Sequence, residues 1–364
     1  MIARCIRTAA RMAALCMFGM YAVLPVAGAR EADGTLGLIQ LPNDGVPVII
    51  APGATFDAVL TEPAAMFLEG GGHQYALEGA WTPLPGNRVK VACTTPDTIP
   101  PGGYTIVAAT HAKTDRTPRS VYVRESFPEI YSIAHVTDTH IGKDHPYPRR
   151  SDDIIRDVLR AVNEAEVAMA LITGDLTEGG EEDEFRRFLA LLDLCAAPTF
   201  VCPGNHDRKN TNYERFFGLH YYMFTFGQDG YLVFDTKDYV TADDLGAQPG
   251  ALERFRRILK PSRWTVGVTH RYEPSMGMRA QISLFLDNPL DFLVFGHWHR
   301  ENTEQEKTTP WGHTRMIVTP AAIDGYIRII DMTARGMLPR PVQQIAETGA
   351  APQREQVMMP ENRE

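Results

Sequence analysis

Cysteine is scarce in this chain, and long apolar runs are absent from all but its first residues. Five of the 364 residues are cysteine, which is too few for the dense disulfide framework of a small secreted domain. Only Cys93, Cys195 and Cys202 remain beyond the N-terminal segment described next, so at most one disulfide can form. Cys195 and Cys202 lie near the predicted ends of a helix and a strand, where buried thiols are the expected state.

The one long apolar run lies at the N-terminus. Arg4, Arg7 and Arg11 precede an apolar stretch, residues 12–26, which ends in the small residues "AGA". This order predicts a secretory signal peptide over residues 1–29 and a periplasmic or secreted location for the mature chain. An uncleaved anchor is the alternative, although the run is short for a spanning helix. Because no later run approaches that length, no transmembrane span is expected in the mature chain.

The chain also lacks an excess of positive charge. Its 36 Lys and Arg against 45 Asp and Glu give a formal net charge of −9, and loss of the three N-terminal arginines would take it to −12. So acidic a chain is not expected to bind nucleic acid or anionic membranes in general. A composition of 44% hydrophobic and 22% charged residues is that of a globular protein with room for more than one domain.

Two kinds of hydrophobic pattern predict two domains. From Thr35 to Glu125, short alternating runs such as "VPVII" and "YTIVAA" are separated by Gly and Pro turns. This pattern predicts a small all-β, immunoglobulin-like sandwich over residues 30–125. From Tyr131 onward, apolar strands alternate with helical periods, which predicts an α/β domain over residues 126–334. Periodicity is lost beyond about Thr333, so residues 335–364 are predicted to form a C-terminal tail.

Five strand-like runs of the second domain end in residues of the types that bind metal ions. The runs are "YSIAHVTDTH", "MALITGDL", "PTFVCPGNHD", "WTVGVTH" and "FLVFGHWHRE". In an extended chain, residues i and i+2 project to the same side, so His297 and His299 are predicted to face one place. Two surface histidines at a turn are the competing interpretation of that pair taken alone. Since ligands bind at the carboxyl ends of strands in open α/β sheets, all five ends are predicted to meet at one rim.

The pooled side chains comprise carboxylates, an amide and imidazoles, with no thiolate. They are Asp138, His140, Asp175, Asn205, His206, Asp207, His270, His297 and His299. Mixed nitrogen and oxygen donors suit Mn, Fe, Zn, Co or Ni. There are too many of them for one ion, but about enough for two ions that share a carboxylate and leave positions open for water and substrate. Two divalent metal ions are therefore the predicted cofactors.

In their order and spacing, these motifs resemble the calcineurin-like metallophosphoesterase superfamily. The family pattern D-x-H, G-D, G-N-H-[DE], H and G-H-x-H appears here as "DTH", "GD", "GNHD", "VTH" and "GHWH" between about Tyr131 and Asp331. The resemblance implies an α/β fold in which a metallophosphoesterase-type β-sandwich core is flanked by helices. The small all-β domain would precede this core.

The resemblance also implies a role for each ligand residue. Asp138, His140 and His299 would hold the first metal ion. Asn205, His270 and His297 would hold the second, and Asp175 would bridge both.

Further roles follow from the same resemblance. His206 would contact the phosphate and protonate the leaving group, and Asp207 would orient the loop or that histidine, a plain turn carboxylate being the alternative. Independently of the resemblance, Arg208, directly after the third motif, and Arg271, directly after the fourth ligand, are placed to meet phosphate oxygens, although exposed arginines are common. Purple acid phosphatases carry a tyrosine three residues after the bridging aspartate. That position is Glu178 here, so no iron–tyrosinate site is expected.

The implied function is that of a secreted or periplasmic dinuclear-metal phosphoesterase. It would hydrolyse phosphomonoester or phosphodiester bonds of a small substrate by a metal-bridging hydroxide. An alternative from another class is a catalytically silent, metal-bound scaffold whose β-sandwich binds a glycan or a partner protein. The intact ligand set favours the enzyme, because a scaffold has no need for an open bimetallic centre.

Overall fold

The structure, a computed structural model, describes residues 33–144, 147–236, 248–272 and 278–345. The predicted signal peptide, residues 1–29, lies outside these ranges. Among the described helices, none combines the length and the apolar character that a membrane crossing requires.

The N-terminal domain consists of two sheets that pack face to face. Its strands are β1 (Ile39–Leu41), β2 (Val48–Ile50), β3 (Thr55–Leu60), β4 (Ala65–Gly70), β5 (His73–Leu77), β6 (Trp81–Leu84), β7 (Arg88–Thr94), β8 (Gly102–Ala109) and β9 (Thr114–Val123). They form sheets of order β1-β3-β7-β6 and β2-β9-β8-β4-β5. Side chains of both sheets, such as Phe56, Leu68 and Ile106, share one core. Burial alternates along β3, as expected of a strand with one face on a core. The immunoglobulin-like assignment stays a prediction.

The second domain contains two further sheets with helices on their outer faces. The strands are β10 (Tyr131–Val136), β11 (Met169–Thr173), β12 (Thr199–Cys202), β13 (Tyr222–Phe226), β14 (Asp229–Val233), β15 (Thr265–Val268), β16 (Phe292–Phe295), β17 (Arg315–Val318), β18 (Tyr326–Thr333), β19 (Gly336–Pro339) and β20 (Gln343–Gln344). The helices are α1 (Ser151–Glu164), α2 (Glu182–Leu192), α3 (Asn212–Phe216), α4 (Gln248–Leu259) and α5 (Met278–Phe285). The helical periods in the sequence, among them the one formed by Ile154, Val158 and Val162, all fall within α1, α2 and α4.

Three cores define the layers of this domain. Side chains of β10–β12 and of β13–β17 meet in a central core between the two sheets. A second core joins the outer face of the first sheet to α1, α2 and α3. A third joins the outer face of the second sheet to α4 and α5. Strand β11, buried at every residue, is apolar in all but its last residue because both of its faces are covered.

The five strand ends of the sequence prediction belong to two sheets, and the prediction of a single sheet rim is wrong. One sheet has the order β12-β11-β10-β18-β19, and the other has the order β13-β14-β15-β16-β17. Their carboxyl ends nevertheless meet. A Cβ atom on Gly296, after β16, would lie 1.8 Å from Thr137 Oγ1, after β10. Two stacked rims therefore replace the single rim.

The sheet that contains β10 extends past residue 334. Strand β19 pairs antiparallel with β18, and β20 pairs with the start of β18. The predicted tail, residues 335–364, thus begins inside the sheet, and residues 346–364 lie outside the described ranges. Strands of four and two residues are too short to show a period of two in the sequence.

Hydrogen bonds of Tyr131 link the two sheets of this domain, and an ion pair holds the carboxylate that accepts one of them. The hydroxyl of Tyr131, in the first sheet, lies 2.6 Å from the hydroxyl of Tyr231 and 2.9 Å from Asp229 Oδ2, both in the second sheet. Arg263 donates to both oxygens of Asp229 at 2.9 and 2.6 Å. The fully buried Asp229 carboxylate therefore accepts hydrogen bonds from two other segments, at Tyr131 and at Arg263.

Replacing Asp229 by Ala is expected to lower the free energy of unfolding by about 2–3 kcal/mol, less than for a fully buried pair because Arg263 is partly exposed. Urea unfolding of the wild type and Asp229→Ala measures the difference. Asp287→Ala, at an exposed position, is the matched control. A change below about 0.5 kcal/mol, the range of ordinary surface substitutions, would contradict this role.

Candidate metal centre

The loops after β10 and β11 run side by side beyond the end of the sheet. Asp138 N donates to Gly174 O at 3.1 Å, and His140 N donates to Asp175 O at 2.9 Å. A parallel bridge between Ile141 and Thr177 continues the register of the strands. Backbone pairing thus places the "DTH" motif directly beside the "GD" motif.

Five predicted ligand residues adopt a left-handed backbone conformation. Asp138, His140, Asp175, His297 and His299 have φ values of 55°, 42°, 46°, 65° and 51°. Such values are uncommon for residues with a Cβ atom and concentrate at functional sites. His297 and His299 therefore do not lie in an extended segment, and the argument that an extended chain turns them to the same side is wrong. The left-handed turns direct them into adjacent clusters instead.

The first cluster contains Asp138, His140 and His299. His299 Nε2 lies 3.3 Å from Asp138 Oδ1, and His140 Nε2 lies 3.8 Å from the same oxygen. Asp138 and His140 are buried, whereas the side chain of His299 is 35% exposed. The other oxygen of Asp138 accepts hydrogen bonds from Thr137 Oγ1 and His297 N. The side chains are thus held in place, and one side of the cluster is open to solvent.

The second cluster contains Asp175, His270 and His297. His270 Nε2 lies 3.2 Å from both Asp175 Oδ2 and His297 Nδ1. The same oxygen of Asp175 lies 3.8 Å from His140 Nε2, in the first cluster. Asp175 therefore lies between the two clusters, where the resemblance predicted a bridging ligand.

Three buried atoms of predicted ligands make no hydrogen bond within the described part of the chain. They are Asp138 Oδ1, His140 Nε2 and Asn205 Oδ1. Leaving a buried polar atom unsatisfied costs about 1–3 kcal/mol. All three can offer a lone pair to a cation, and imidazole, carboxylate and amide groups are suitable donors for divalent transition metals. The residues therefore fit the predicted metal ions.

Nearby imidazoles keep the buried carboxylates ionised. Burial alone would raise the pKa of Asp138, but the close imidazoles of His299, His270 and His140 lower it below its usual value. Burial opposes the same effect at Asp175, whose pKa falls to about 2 because of the charge of His270. Against its own burial, the Asp175 charge raises the pKa of His270 to about 9. Since a metal-binding imidazole must be neutral, cation binding here releases protons.

Two glycines allow these loops to approach one another closely. A Cβ atom on Gly204 would lie 2.1 Å from both Asp175 N and Asp175 Oδ1. At Gly296 a Cβ atom would lie 2.5 Å from Asp138 Oδ2. The glycines of "GNHD" and "GHWH" are therefore required by contact with the carboxylates of the other motifs.

The two predicted catalytic residues occupy different environments. His206 is partly exposed, its backbone N donates to Asp175 Oδ1 at 2.8 Å, and it groups with His140 and Asp175. Asp207 is fully buried and accepts hydrogen bonds from Leu176 N, Thr177 N, Thr177 Oγ1 and Gly204 N. Asp207 thus links the "GD" and "GNHD" loops. Its predicted role in orienting the loop or His206 stays a prediction.

The two predicted phosphate-binding arginines differ in their partners. Arg208 forms an ion pair with Asp235 and lies 2.8 Å from His220 Nδ1, and its side chain is 14% exposed. Arg271 is half-buried and close enough to His297 for its charge to help lower the pKa of that imidazole, a shift caused first by burial. Substrate contact stays a prediction for both arginines.

Sequence reasoning missed Asp324. Its Oδ2 lies 3.8 Å from His299 Nδ1, and its Oδ1 accepts a hydrogen bond from Tyr147 at 2.7 Å. At this distance the carboxylate makes no hydrogen bond to the ring. Burial lowers the pKa of His299, but Asp138 and then the charge of Asp324 raise it above its usual value. The signal was weak because Asp324 is far from His299 in the sequence and belongs to no motif.

His135, on β10 three residues before Asp138, is fully buried between Thr319 Oγ1 at 2.6 Å and Thr173 Oγ1 at 2.8 Å. Burial, with a contribution from Arg328, lowers its pKa from 6.5 to about 3. Between those values the unfolded chain binds more protons than the native state. His135 therefore makes stability fall as the pH drops, by about 2–3 kcal/mol between pH 7.5 and 4.5.

Urea unfolding at several pH values, in the presence of a chelator, tests this prediction by comparing the wild type with His135→Gln. The variant lacks the titrating group, so its stability should depend on pH less steeply by that amount. Parallel pH profiles for the two proteins would exclude a neutral, buried His135.

Comparison with known proteins points to one family. Residues 131–301 match the model of the calcineurin-like phosphoesterase family. A "Probable cyclic nucleotide phosphodiesterase" of Vesicomyosocius okutanii subsp. Calyptogena okutanii is 26% identical over an alignment of 188 residues that covers 47% of this chain and 79% of that protein. A purple acid phosphatase from yellow lupin (Lupinus luteus) seeds has a TM-score of 0.51 at 11% identity, over 81% of this chain and 70% of that one. The last similarity concerns the fold alone.

The site and the comparisons together define the class of the second domain, a phosphoesterase domain with clustered candidate metal ligands. The domain belongs to the calcineurin-like metallophosphoesterase superfamily, so the prediction from the ordered motifs is confirmed. The mixed α/β fold resembles that of purple acid phosphatase. Family and relative together support a phosphoric ester hydrolase.

Proposed function

We propose that this protein is a dinuclear-metal phosphoesterase that hydrolyses phosphomonoester or phosphodiester bonds. The observation that carries the proposal is the position of Asp175, whose Oδ2 lies 3.2 Å from His270 Nε2 and 3.8 Å from His140 Nε2. It lies between two clusters, each with three candidate ligands. A carboxylate so placed can serve both clusters at once.

In this proposal, Asp138, His140 and His299 hold one divalent ion, and Asn205, His270 and His297 hold another, with Asp175 shared. When bound, the ions attract the phosphate group, acidify a water molecule and stabilise the charge of the transition state.

The protein's own groups orient the substrate. His206 accepts or donates a proton through Nε2, because its Nδ1 donates to Glu178 O at 2.6 Å. This arrangement leaves Nε2 free to serve the leaving oxygen as a general acid. Arg271 adds positive charge on the side of His297 and can pair with phosphate oxygens.

The experiment is a hydrolysis screen with metal-reconstituted protein. p-Nitrophenyl phosphate and bis(p-nitrophenyl) phosphate compare monoester with diester cleavage, in the presence of manganese, zinc or a chelator. Cyclic nucleotides are included because the relative is named as a cyclic nucleotide phosphodiesterase. We expect turnover that depends on the metal and is abolished by the chelator. Folded protein that shows no turnover with any metal would contradict the proposal. A metal analysis that finds fewer than about two ions per chain would favour a single-ion site or the silent scaffold.

We also propose that the mature protein is extracytoplasmic. The proposal rests on the pattern of residues 1–29, which lie outside the described ranges. Expression of the full chain in a Gram-negative host, followed by fractionation and N-terminal sequencing, should give a periplasmic protein that begins at Arg30. A cytoplasmic protein with an intact N-terminus would contradict it.

A further inference from the structure

Glu178 lies directly beside two of the site's histidines because of the backbone register. The loops that follow β10 and β11 stay paired as far as Ile141 and Thr177. Glu178 N then donates to Ile141 O at 2.9 Å. This bond closes the paired segment and places residue 178 next to His140. The position is therefore fixed by main-chain hydrogen bonds rather than by the side chain itself.

Glu178 contacts the two imidazoles through different groups. Its side-chain Oε2 lies 2.7 Å from His140 Nδ1, and its backbone oxygen lies 2.6 Å from His206 Nδ1. The two rings are nearly perpendicular, at 88°, with centroids 4.8 Å apart. Both Nδ1 atoms therefore donate to oxygens of one residue. Both Nε2 atoms are left to face away from it.

We propose that Glu178 is a positioning residue that fixes the tautomers of His140 and His206. The carboxylate holds His140 with its proton on Nδ1, so that Nε2, which is buried without a partner among the described residues, presents a lone pair to a cation. The backbone oxygen likewise keeps a proton on Nδ1 of His206, so that Nε2 is the nitrogen that gains and gives up the transferred proton. Glu178 is not itself a ligand in this arrangement, because its contact is with the opposite ring nitrogen. The inference rests on the proposed metal site.

The carboxylate and a neutral side chain should act differently. A negatively charged acceptor increases the electron donation of the imidazole to a metal, and removing such partners typically weakens metal binding by about 10- to 100-fold. Glu178→Gln can still accept a hydrogen bond but lacks the charge, so an intermediate loss is expected. Glu178→Ala lacks both. The side chain is one-third exposed, so neither change should unfold the protein.

The test is a zinc titration of chelator-stripped full-length protein by calorimetry. The wild type, Glu178→Gln and Glu178→Ala are compared with Glu164→Gln, which removes the same charge from an exposed position at the end of α1. Nitrogen-15 spectra of histidine-labelled protein without metal report which ring nitrogen of His140 carries the proton. A His140→Asn spectrum assigns the signal.

We expect zinc affinity to fall about 10- to 100-fold in Glu178→Ala, less in Glu178→Gln and not at all in Glu164→Gln. The His140 signal should indicate a proton on Nδ1 in the wild type and a mixture of tautomers in Glu178→Ala. Wild-type affinity in Glu178→Ala, or an unchanged tautomer, would overturn the inference. If zinc binding depends on Glu178 but the protein hydrolyses no ester, only the proposed function is contradicted. A wild-type protein that binds no zinc would contradict both the proposed function and the role of Glu178.

Discussion

Asp175→Asn is expected to lower kcat/KM for the best phosphate ester by about 1,000-fold or more, because a metal ion supplies several kcal/mol and 1.36 kcal/mol is tenfold in rate. Asp175 is the carboxylate between the two clusters. An amide keeps its size and can still accept the hydrogen bond from His206 N. It lacks the negative charge, so both candidate metal sites should weaken together.

The measurement is steady-state kinetics with metal content determined on the same samples. Asp183→Asn, at an exposed position in α2, is the matched control and should behave as the wild type does. The fold should persist, because Asp175 lies beyond the end of β11 and its backbone bonds are unchanged. An Asp175→Asn variant within tenfold of wild-type activity would contradict the assignment of Asp175 as a shared ligand.

Asp207→Ala is expected to lower the free energy of unfolding by about 3–5 kcal/mol, because it leaves buried donors without an acceptor. Three backbone N–H groups and the Thr177 hydroxyl lose their partner. Burial and the charge of Asp175 raise the pKa of Asp207 to about 6, so the ionised carboxylate itself costs the wild type stability. Removing that carboxylate offsets part of the loss. The two loops should separate, and metal content should fall with stability.

Asp207→Asn separates hydrogen bonding from charge. The oxygen of the asparagine amide can still accept from one pair of donors, whereas its NH2 group faces the other pair. We therefore expect a smaller loss of unfolding free energy than in Asp207→Ala, about 2–3 kcal/mol. Thermal and urea unfolding measure both variants in the presence of a chelator, so that metal loss does not enter. If Asp207 were a plain turn carboxylate, both variants would be as stable as the wild type.

Much of the candidate site could be predicted from local sequence. Apolar runs that end in Asp, Asn and His identified the residues that converge after β10, β11, β12, β15 and β16. The helical period of Ile154, Val158 and Val162 predicted α1, because one face must be buried. The hydrophobic periods depend only on residues close together in the sequence, and few types of side chain can bind a metal ion. Both kinds of feature are therefore predictable from local sequence.

The partners of those side chains could not be predicted in the same way. Asp324 near His299, Asp235 against Arg208 and Glu178 beside His140 are contacts between segments whose sequences carry no mark of each other. The short strands β19 and β20 were missed because they are too short to show a period. His297 lies in a left-handed turn and not in the predicted extended segment, because its backbone N donates to Asp138, 159 residues away.

The sequence by itself determined which residue types could bind metal and in what order they follow apolar strands, since side-chain chemistry and hydrophobic period are local properties. Only the tertiary structure decided that the ligands come from two stacked sheets rather than one. It also decided that Asp175 lies between two clusters and that glycines fit where a Cβ would collide. The physical reason is that backbone pairing and close packing join residues far apart in the chain, and their energies depend on the whole fold.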